Sequence, residues 1–395
     1  MSNAKALGPR LAALHTAAFL SHGFYLPFFP VWLQSKALDP TMIGLIVSVP
    51  IIIRVFVIAP LLSLSDRGVG TRLLLITFYI GQIVGFPLLW LSDNGLVIMA
   101  IVAAVSIAQA AVIPANDLVT TIEVQKHPGL NYGRIRGAGS IAFLFASILA
   151  GYLVGLFGAN VVVWALTLIP VLGIAVVLLA LPPDVARRQA GRELAAVPQA
   201  PRNLSAVLWL AMIGGALIQS SHGALNAFGS IYWRSAGFSD ATIGYFWAVG
   251  VLAEIAVFLV LGRLVGRGNA GIVLLLVGGL AAIVRFTSLS LHPGLISSLM
   301  LQTLHGLTFA AAHLGIMACF AAFAPAAARG RAQGIYGSIT ALATVLSTVA
   351  SGEVYRVAGS MVFAAMVPLA FVGLVLAAIA LRVEKAQPQS AGSGG

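Results

Sequence analysis

Long apolar runs separated by short polar turns repeat twelve times along this chain. They fall at about 11–34, 41–65, 73–91, 95–122, 137–157 and 160–182, and then at about 205–233, 240–262, 271–291, 294–324, 334–354 and 360–381. A helix that crosses a bilayer core needs roughly 20 apolar residues, and each run is near or above that length. The pattern predicts an all-α membrane protein of twelve transmembrane helices. The run beginning near Leu11 has no small-residue cleavage site after it, so it reads as a retained first helix. Residues 183–203 carry Asp184, Arg187, Arg188, Arg192, Glu193 and Arg202. They read as a linker between two six-helix halves, 1–182 and 204–386. The Gly- and Ser-rich stretch 387–395 reads as a disordered tail.

Composition supports a lipid solvent. Of the 395 residues, 60% are hydrophobic and 8% charged, against roughly 25% charged in soluble domains. The net charge of +11 does not point to nucleic acid, because the basic residues stand singly between apolar runs. They report topology instead. With the N-terminus inside, only Lys36, Arg234 and Arg356 fall outside, Arg54 and Arg285 fall within spans, and the remaining Lys and Arg are cytoplasmic. This positive-inside contrast puts both termini in the cytoplasm and suits the inner membrane of a bacterium. The lone cysteine, Cys319, sits in an apolar run and rules out a disulfide framework within the chain.

The two halves repeat each other at a shift of 200 residues. Ser21-His22-Gly23 returns as Ser221-His222-Gly223, Ile43-Gly44 as Ile243-Gly244, and Leu74-Leu75 as Leu274-Leu275. Gly133-Arg134 and Gly330-Arg331 correspond at a shift of 197. Parallel six-helix repeats are a transporter build, with substrate bound near the midplane and access alternating by rocking. The loop holding Asp66, Arg67, Gly68, Gly70 and Arg72 has the glycines for a tight turn. Asp66, Arg67 and Arg72 read either as a conformational latch or as a solvated turn.

Ionisable groups at membrane depth are costly and mark function by default. The spans hold Arg54, Asp117, Glu254 and Arg285, with Arg136 opening the fifth and Ser140 one turn beyond it. Consecutive antiparallel helices pair Asp117 with Arg136 and Glu254 with Arg285. These pairs either carry substrate and protons or only fix helix packing. His22, His222 and His305 also fall within spans, as do His15 and His313, which read first as hydrogen-bonded core histidines. Asn226, Tyr25, Tyr232 and Trp247 are further candidates for the walls of a substrate site, and Phe24, Phe28 and Phe246 for its apolar lining. The sequence holds no nucleophile–base set, metal-ligand spacing or phosphate loop, so an enzyme is not expected, nor any cofactor beyond a proton gradient. A receptor or scaffold gives no reason for charges in the spans.

The stretches Ser21-His22-Gly23, Leu26-Pro27-Phe28, Val31-Trp32-Leu33, Tyr132-Gly133-Arg134-Ile135-Arg136, Ile231-Tyr232-Trp233, Ala253-Glu254, Val284-Arg285 and Leu304-His305 resemble the phenylpropionate permease group of the major facilitator superfamily. The resemblance runs over nearly the whole chain. It implies the major facilitator fold, with two pseudo-symmetric halves, and proton-coupled symport of a small organic solute such as an aromatic carboxylate. The lactose permease type is a more distant resemblance. It implies substrate contacts at Asp117 and Arg136, and proton coupling through Glu254, Arg285 and His305. Gln302 and Thr308 stand where that type has a lysine and a glutamate, so its charge set is incomplete here. For the carboxylate reading, Arg136 or Arg54 would meet the substrate. Two alternatives stay open: a sugar or nucleoside symporter, with Asp117, Arg136 and Asn226 on hydroxyls, and a drug-type efflux pump. The expected partners are the substrate, protons and lipid, with the protein monomeric.

Overall fold

The structure, a computed structural model, describes residues 2–181, 203–262 and 269–386. Sixteen α-helices make up nearly all of it: α1 (Ser2–Ser35), α2 (Pro40–Asp66), α3 (Thr71–Gly85), α4 (Gly95–Ala110), α5 (Val112–Lys126), α6 (Tyr132–Phe157), α7 (Val161–Ala180), α8 (Ala206–Ser220), α9 (Gly223–Ser235), α10 (Asp240–Leu261), α11 (Ala270–Ser290), α12 (Leu295–Thr303), α13 (Ala312–Phe323), α14 (Arg329–Ala358), α15 (Met361–Ala364) and α16 (Val367–Ala386). They assemble into twelve spans. A 3-10 turn, Phe86–Leu91, extends α3, and a π-helical turn, Gly306–Ala311, joins α12 to α13. The pairs α4–α5, α8–α9 and α15–α16 are each one span with a local break. Ten spans are long and apolar enough by themselves to cross a membrane. The proline-containing α1 and the interrupted α8–α9 complete the set.

The expected spans are all helical, and α1 begins earlier than its apolar run, at Ser2. The expected linker, apart from Asn203, and the expected tail lie outside the described residues. Side-chain caps begin several helices where the pattern turns apolar. Asn94 accepts from the backbone N–H of Leu96 and Val97, Asn131 from Arg134, and Ser205 from Leu208. Each cap satisfies N–H groups that the first helical turn leaves open. In the 66–71 turn, Gly68 has φ +89, a left-handed backbone that strains any residue with a Cβ. Large apolar side chains such as Leu156, Phe157 and Leu179 lie exposed on the helices, as a lipid-facing surface requires.

The chain divides into two compact units whose limits differ from the sequence halves. One comprises Met1–Glu193, Ala224–Val251 and Thr348–Gly359; the other comprises Leu194–Gly223, Leu252–Ser347 and Ser360–Gly395. Within the first, α1 packs along α6 and α7, α2 along α4, and α3 along α7. Leu11, Leu14, Leu75, Tyr79 and Ala111 are among its buried core. Bare backbone makes the tightest approaches. A Cβ on Gly244 of α10 would come 2.5 Å from the Ser147 carbonyl oxygen of α6, and one on Gly151 would strike the Asp240 carbonyl oxygen. Small residues let helices close to this distance without side chains between them. Within the second unit, α8 and α11 both pack on α16, and α11 on α13. Gly214 and Gly373 face each other there, each leaving less than 3 Å for a Cβ before the other's carbonyl oxygen.

Candidate functional site

The first unit gathers a polar cluster from three helices. Asp117 and Thr120 stand three residues apart on α5, and Tyr132 and Arg136 four apart on α6, so each pair shares a helix face. Arg136 Nε lies 3.4 Å from Asp117 Oδ1, the pairing expected of these consecutive helices. Tyr132 donates its hydroxyl to the same oxygen at 2.9 Å. From α1, His15 Nε2 hydrogen-bonds Thr120 Oγ1 at 3.0 Å, and its Nδ1 stands 3.9 Å from Asp117. Asn116 ties α5 to α1 by donating to the Leu14 carbonyl at 3.1 Å. The Arg136 guanidinium also sits 4.2 Å from the Phe19 ring centroid, a cation–π contact. About a third of each partner remains open: the side chains of Asp117 and Arg136 are 33% and 30% exposed.

A second cation of this unit behaves differently. Arg54, midway along α2, keeps an exposed side chain and forms no ion pair among the described residues. Its charge acts on Tyr25 and on His22. The Tyr25 hydroxyl is buried without a hydrogen-bond partner among the described residues. The Tyr25 ring stacks on Phe29 at 4.6 Å, and Phe29 stacks on Trp32 at 5.6 Å. The i, i+4, i+7 spacing on α1 aligns these three rings. His22 lies between Phe19 and Phe143, at 6.2 and 6.1 Å.

The second unit holds a closed cluster. Arg285 of α11 is 0% exposed, and its hydrogen bonds run to neutral groups. Nη1 donates to His305 Nδ1 and to Thr308 Oγ1, both at 3.1 Å, and Nη2 donates to Gln302 Oε1 at 2.5 Å. His222, in the break between α8 and α9, binds Thr308 Oγ1 through Nε2 at 2.9 Å and the Gln219 carbonyl through Nδ1 at 3.0 Å. Glu254 of α10 faces His305, with Oε2 3.8 Å from Nε2. His305 thus stands beside both members of the expected Glu254–Arg285 partnership. The π turn helps to build this group. Gly306 opens it against the backbone of Ala253, where a Cβ would come 2.6 Å from the carbonyl oxygen, and Thr308 lies within it. π turns recur at functional sites because they re-aim side chains inside a helix.

The remaining candidates scatter. Ser140 and Asn226 are half-buried and make no hydrogen bond among the described residues. Trp247 donates to Ser230 Oγ at 2.8 Å and packs edge-on to Trp233. Tyr232 is buried, and Phe24, Phe28 and Phe246 are core residues. All of them are buried in this structure. Arg67 is exposed and Arg72 half-buried, and neither forms an ion pair among the described residues; the Asp66 side chain lies outside what is described. Thr120, Tyr132, Thr308 and Gln302 join the clusters although the spans' charges alone did not single them out. Tyr132 had a signal, since it precedes Arg136 by one helical turn. Thr308 had a weaker one, at i+3 from His305.

Helices carrying buried and half-buried charges through an apolar exterior define a multi-pass membrane transporter of the major facilitator fold, and not an enzyme. Residues 10–365 match the MFS_1 like family, and the chain belongs to that family. It is 30% identical over 384 residues to a probable 3-phenylpropionic acid transporter of Escherichia coli strain K12, covering 93% of this chain and 96% of that one. Its fold is similar to that of the nucleoside transporter NupG, at 16% identity and a TM-score of 0.75 over 96% of this chain and 98% of the other. A bacterial homologue of the lysosomal transporter Spinster, inward-facing and occupied, aligns at 14% identity and a TM-score of 0.70, over 96% and 97% of the two chains.

Proposed function

We propose that this protein imports an aromatic carboxylate of the phenylpropionate kind together with a proton, by secondary active transport. Arg54 carries the reading. Of the three arginines weighed as functional, Arg136 already faces Asp117 and Phe19, and Arg285 is enclosed by its own acceptors. Arg54 alone of these is an exposed residue within a span with no carboxylate partner among the described residues, its charged group being partly desolvated by the protein around it. A planar fork of donors at that depth fits a carboxylate. Beside it, Tyr25 offers a hydroxyl without a hydrogen-bond partner among the described residues and the first ring of an aromatic stack. The 30% identical relative, by its name, moves such an acid. In the other unit, Glu254 and His305 supply a carboxylate and an imidazole 3.8 Å apart, the pair assigned to proton coupling. Asp117 and Arg136, with Ser140 one turn on, take the substrate's other polar contacts.

The test is uptake of labelled 3-phenylpropionate into proteoliposomes under an imposed proton gradient. Arg54→Gln should abolish accumulation and Arg54→Lys should retain part of it, since a point charge replaces a bidentate fork. Glu254→Gln should keep exchange of substrate across the membrane while losing accumulation. Wild-type accumulation by Arg54→Gln would overturn the carboxylate assignment. Competition by nucleosides or sugars as effective as that by aromatic acids would favour hydroxyl binding at Asp117 and Arg136. Accumulation only into inverted vesicles would make the protein an exporter.

A further inference from the structure

The closed cluster of the second unit dictates where its ring protons sit. His222 Nδ1 is 3.0 Å from the Gln219 carbonyl oxygen. A carbonyl can only accept, so Nδ1 carries the hydrogen. In the neutral ring Nε2 is then an acceptor, and the Thr308 hydroxyl, which also has the His305 carbonyl oxygen at 3.3 Å, gives its one hydrogen to the nearer Nε2 at 2.9 Å. The Thr308 oxygen is left to accept Arg285 Nη1–H at 3.1 Å. The second Nη1 hydrogen reaches His305 Nδ1, also at 3.1 Å. A guanidinium has no acceptor to offer, so His305 Nδ1 must be bare and the ring hydrogen of His305 must be on Nε2. That nitrogen is the one turned toward Glu254.

We infer that Arg285, clamped by Thr308 and Gln302, is a positioning residue that fixes the tautomer of His305 and covers the one ring nitrogen that could take a second proton. The charged and titratable groups set around His305 are Arg285 from α11, Glu254 from α10 and His222 between α8 and α9, with Phe309 stacked on its ring at 5.3 Å. While Arg285 is docked, His305 is a hydrogen donor facing Glu254 and not a relay, so the proton that travels with substrate resides on Glu254. That last consequence rests on the coupling role proposed above for Glu254 and His305. The tautomers themselves do not depend on any substrate.

Ring-nitrogen NMR on the full-length protein in lipid nanodiscs, made with nitrogen-labelled histidine, tests this directly. His222→Gln and His305→Gln assign the two signals. The expected wild-type spectrum has His305 protonated at Nε2 and bare at Nδ1, and His222 the reverse, with no imidazolium signal from His305 between about pH 7.5 and about pH 5. Thr308→Val keeps the side-chain shape, removes the hydroxyl, and should release a second His305 tautomer and an acid-side imidazolium signal. Thr308→Ser should restore the wild-type spectrum. A wild-type His305 that carries its hydrogen on Nδ1, or that titrates to imidazolium in this range, would overturn the inference, as would a Thr308→Val spectrum identical to wild type. Because the measurement needs no transported ligand, failure of 3-phenylpropionate uptake would count against the proposed substrate and leave this result standing.

Discussion

Asp117 and Arg136 meet at 3.4 Å with about a third of each side chain open, whereas Arg285 is fully enclosed and donates to a histidine, a threonine and a glutamine. The residue types are similar, but the settings are opposed. A half-open ion pair gains little from its own attraction, about 0–1 kcal/mol when exposed, and opens at correspondingly small cost. A guanidinium held away from water carries a desolvation penalty of several kcal/mol. Its two terminal nitrogens are bonded while Nε has no hydrogen-bond partner among the described residues, so losing the remaining partners would be costly and they are fixed together with it. The first cluster is suited to exchanging partners with a ligand. The second is suited to staying assembled until one protonation event changes it as a whole.

The contrast breaks or sharpens under three paired substitutions and one single one, each read by thermal unfolding of the purified protein in detergent. Arg285→Leu strands three acceptors in a closed site, at about 1–3 kcal/mol each, and should be the most destabilising; Arg136→Leu should cost about 1 kcal/mol. Equal losses would erase the distinction between the clusters. Next comes backbone proximity. Gly151→Ala places a methyl against the Asp240 carbonyl and should cost about 1–3 kcal/mol. Gly137→Ala on the same helix meets nothing within 4 Å and should be neutral or stabilising by about 0.4–1 kcal/mol. Thr308→Val removes a hydroxyl shared by His222 and Arg285 and should cost about 2 kcal/mol, against about 1 kcal/mol for Thr120→Val, whose hydroxyl serves His15. Tyr132→Phe removes one bond to a carboxylate that keeps Arg136, and should cost about 0.5–1.5 kcal/mol. A Thr120 effect larger than that of Thr308 would place the tighter network in the first unit.

Much of the fold could be read from the amino-acid sequence, because lipid leaves a helix few options. Every backbone polar group must bond within its own segment, so apolar run length locates the spans. The breaks at Ala111, at Ser221–His222 and over Gly306–Ala311 were not legible, since hydropathy does not register a local change of hydrogen-bond pattern. The same limit hid much of the site. Asp117 and Arg136 declared themselves as charges on neighbouring antiparallel helices. Thr308 and Gln302 read only as places where a charge was missing. Their role depends on Arg285 lying within reach, and spacing along one helix says nothing of that. The aromatic residues were the hardest to sort, since a ring in the core and a ring in a binding wall have the same hydropathy. Of those expected near substrate, Phe24, Phe28 and Phe246 are buried in this structure.

The π turn over Gly306–Ala311 also bears on ancestry. Its bonds span five residues where an α-helix spans four, so that stretch holds one residue more than a regular helix of the same reach. Losing one residue there would restore an uninterrupted helix and draw all that follows back by about 1.5 Å and about 100°. His305 would stay in place, while Phe309 and His313, now stacked 6.5 Å apart, would turn to other faces. The matching span of the first half is interrupted instead at Ala111. The register between the halves falls from 200 to 197 across this region, so the second copy is three residues shorter between these landmarks even though its π turn holds one extra, and the two copies have changed length in more than one place.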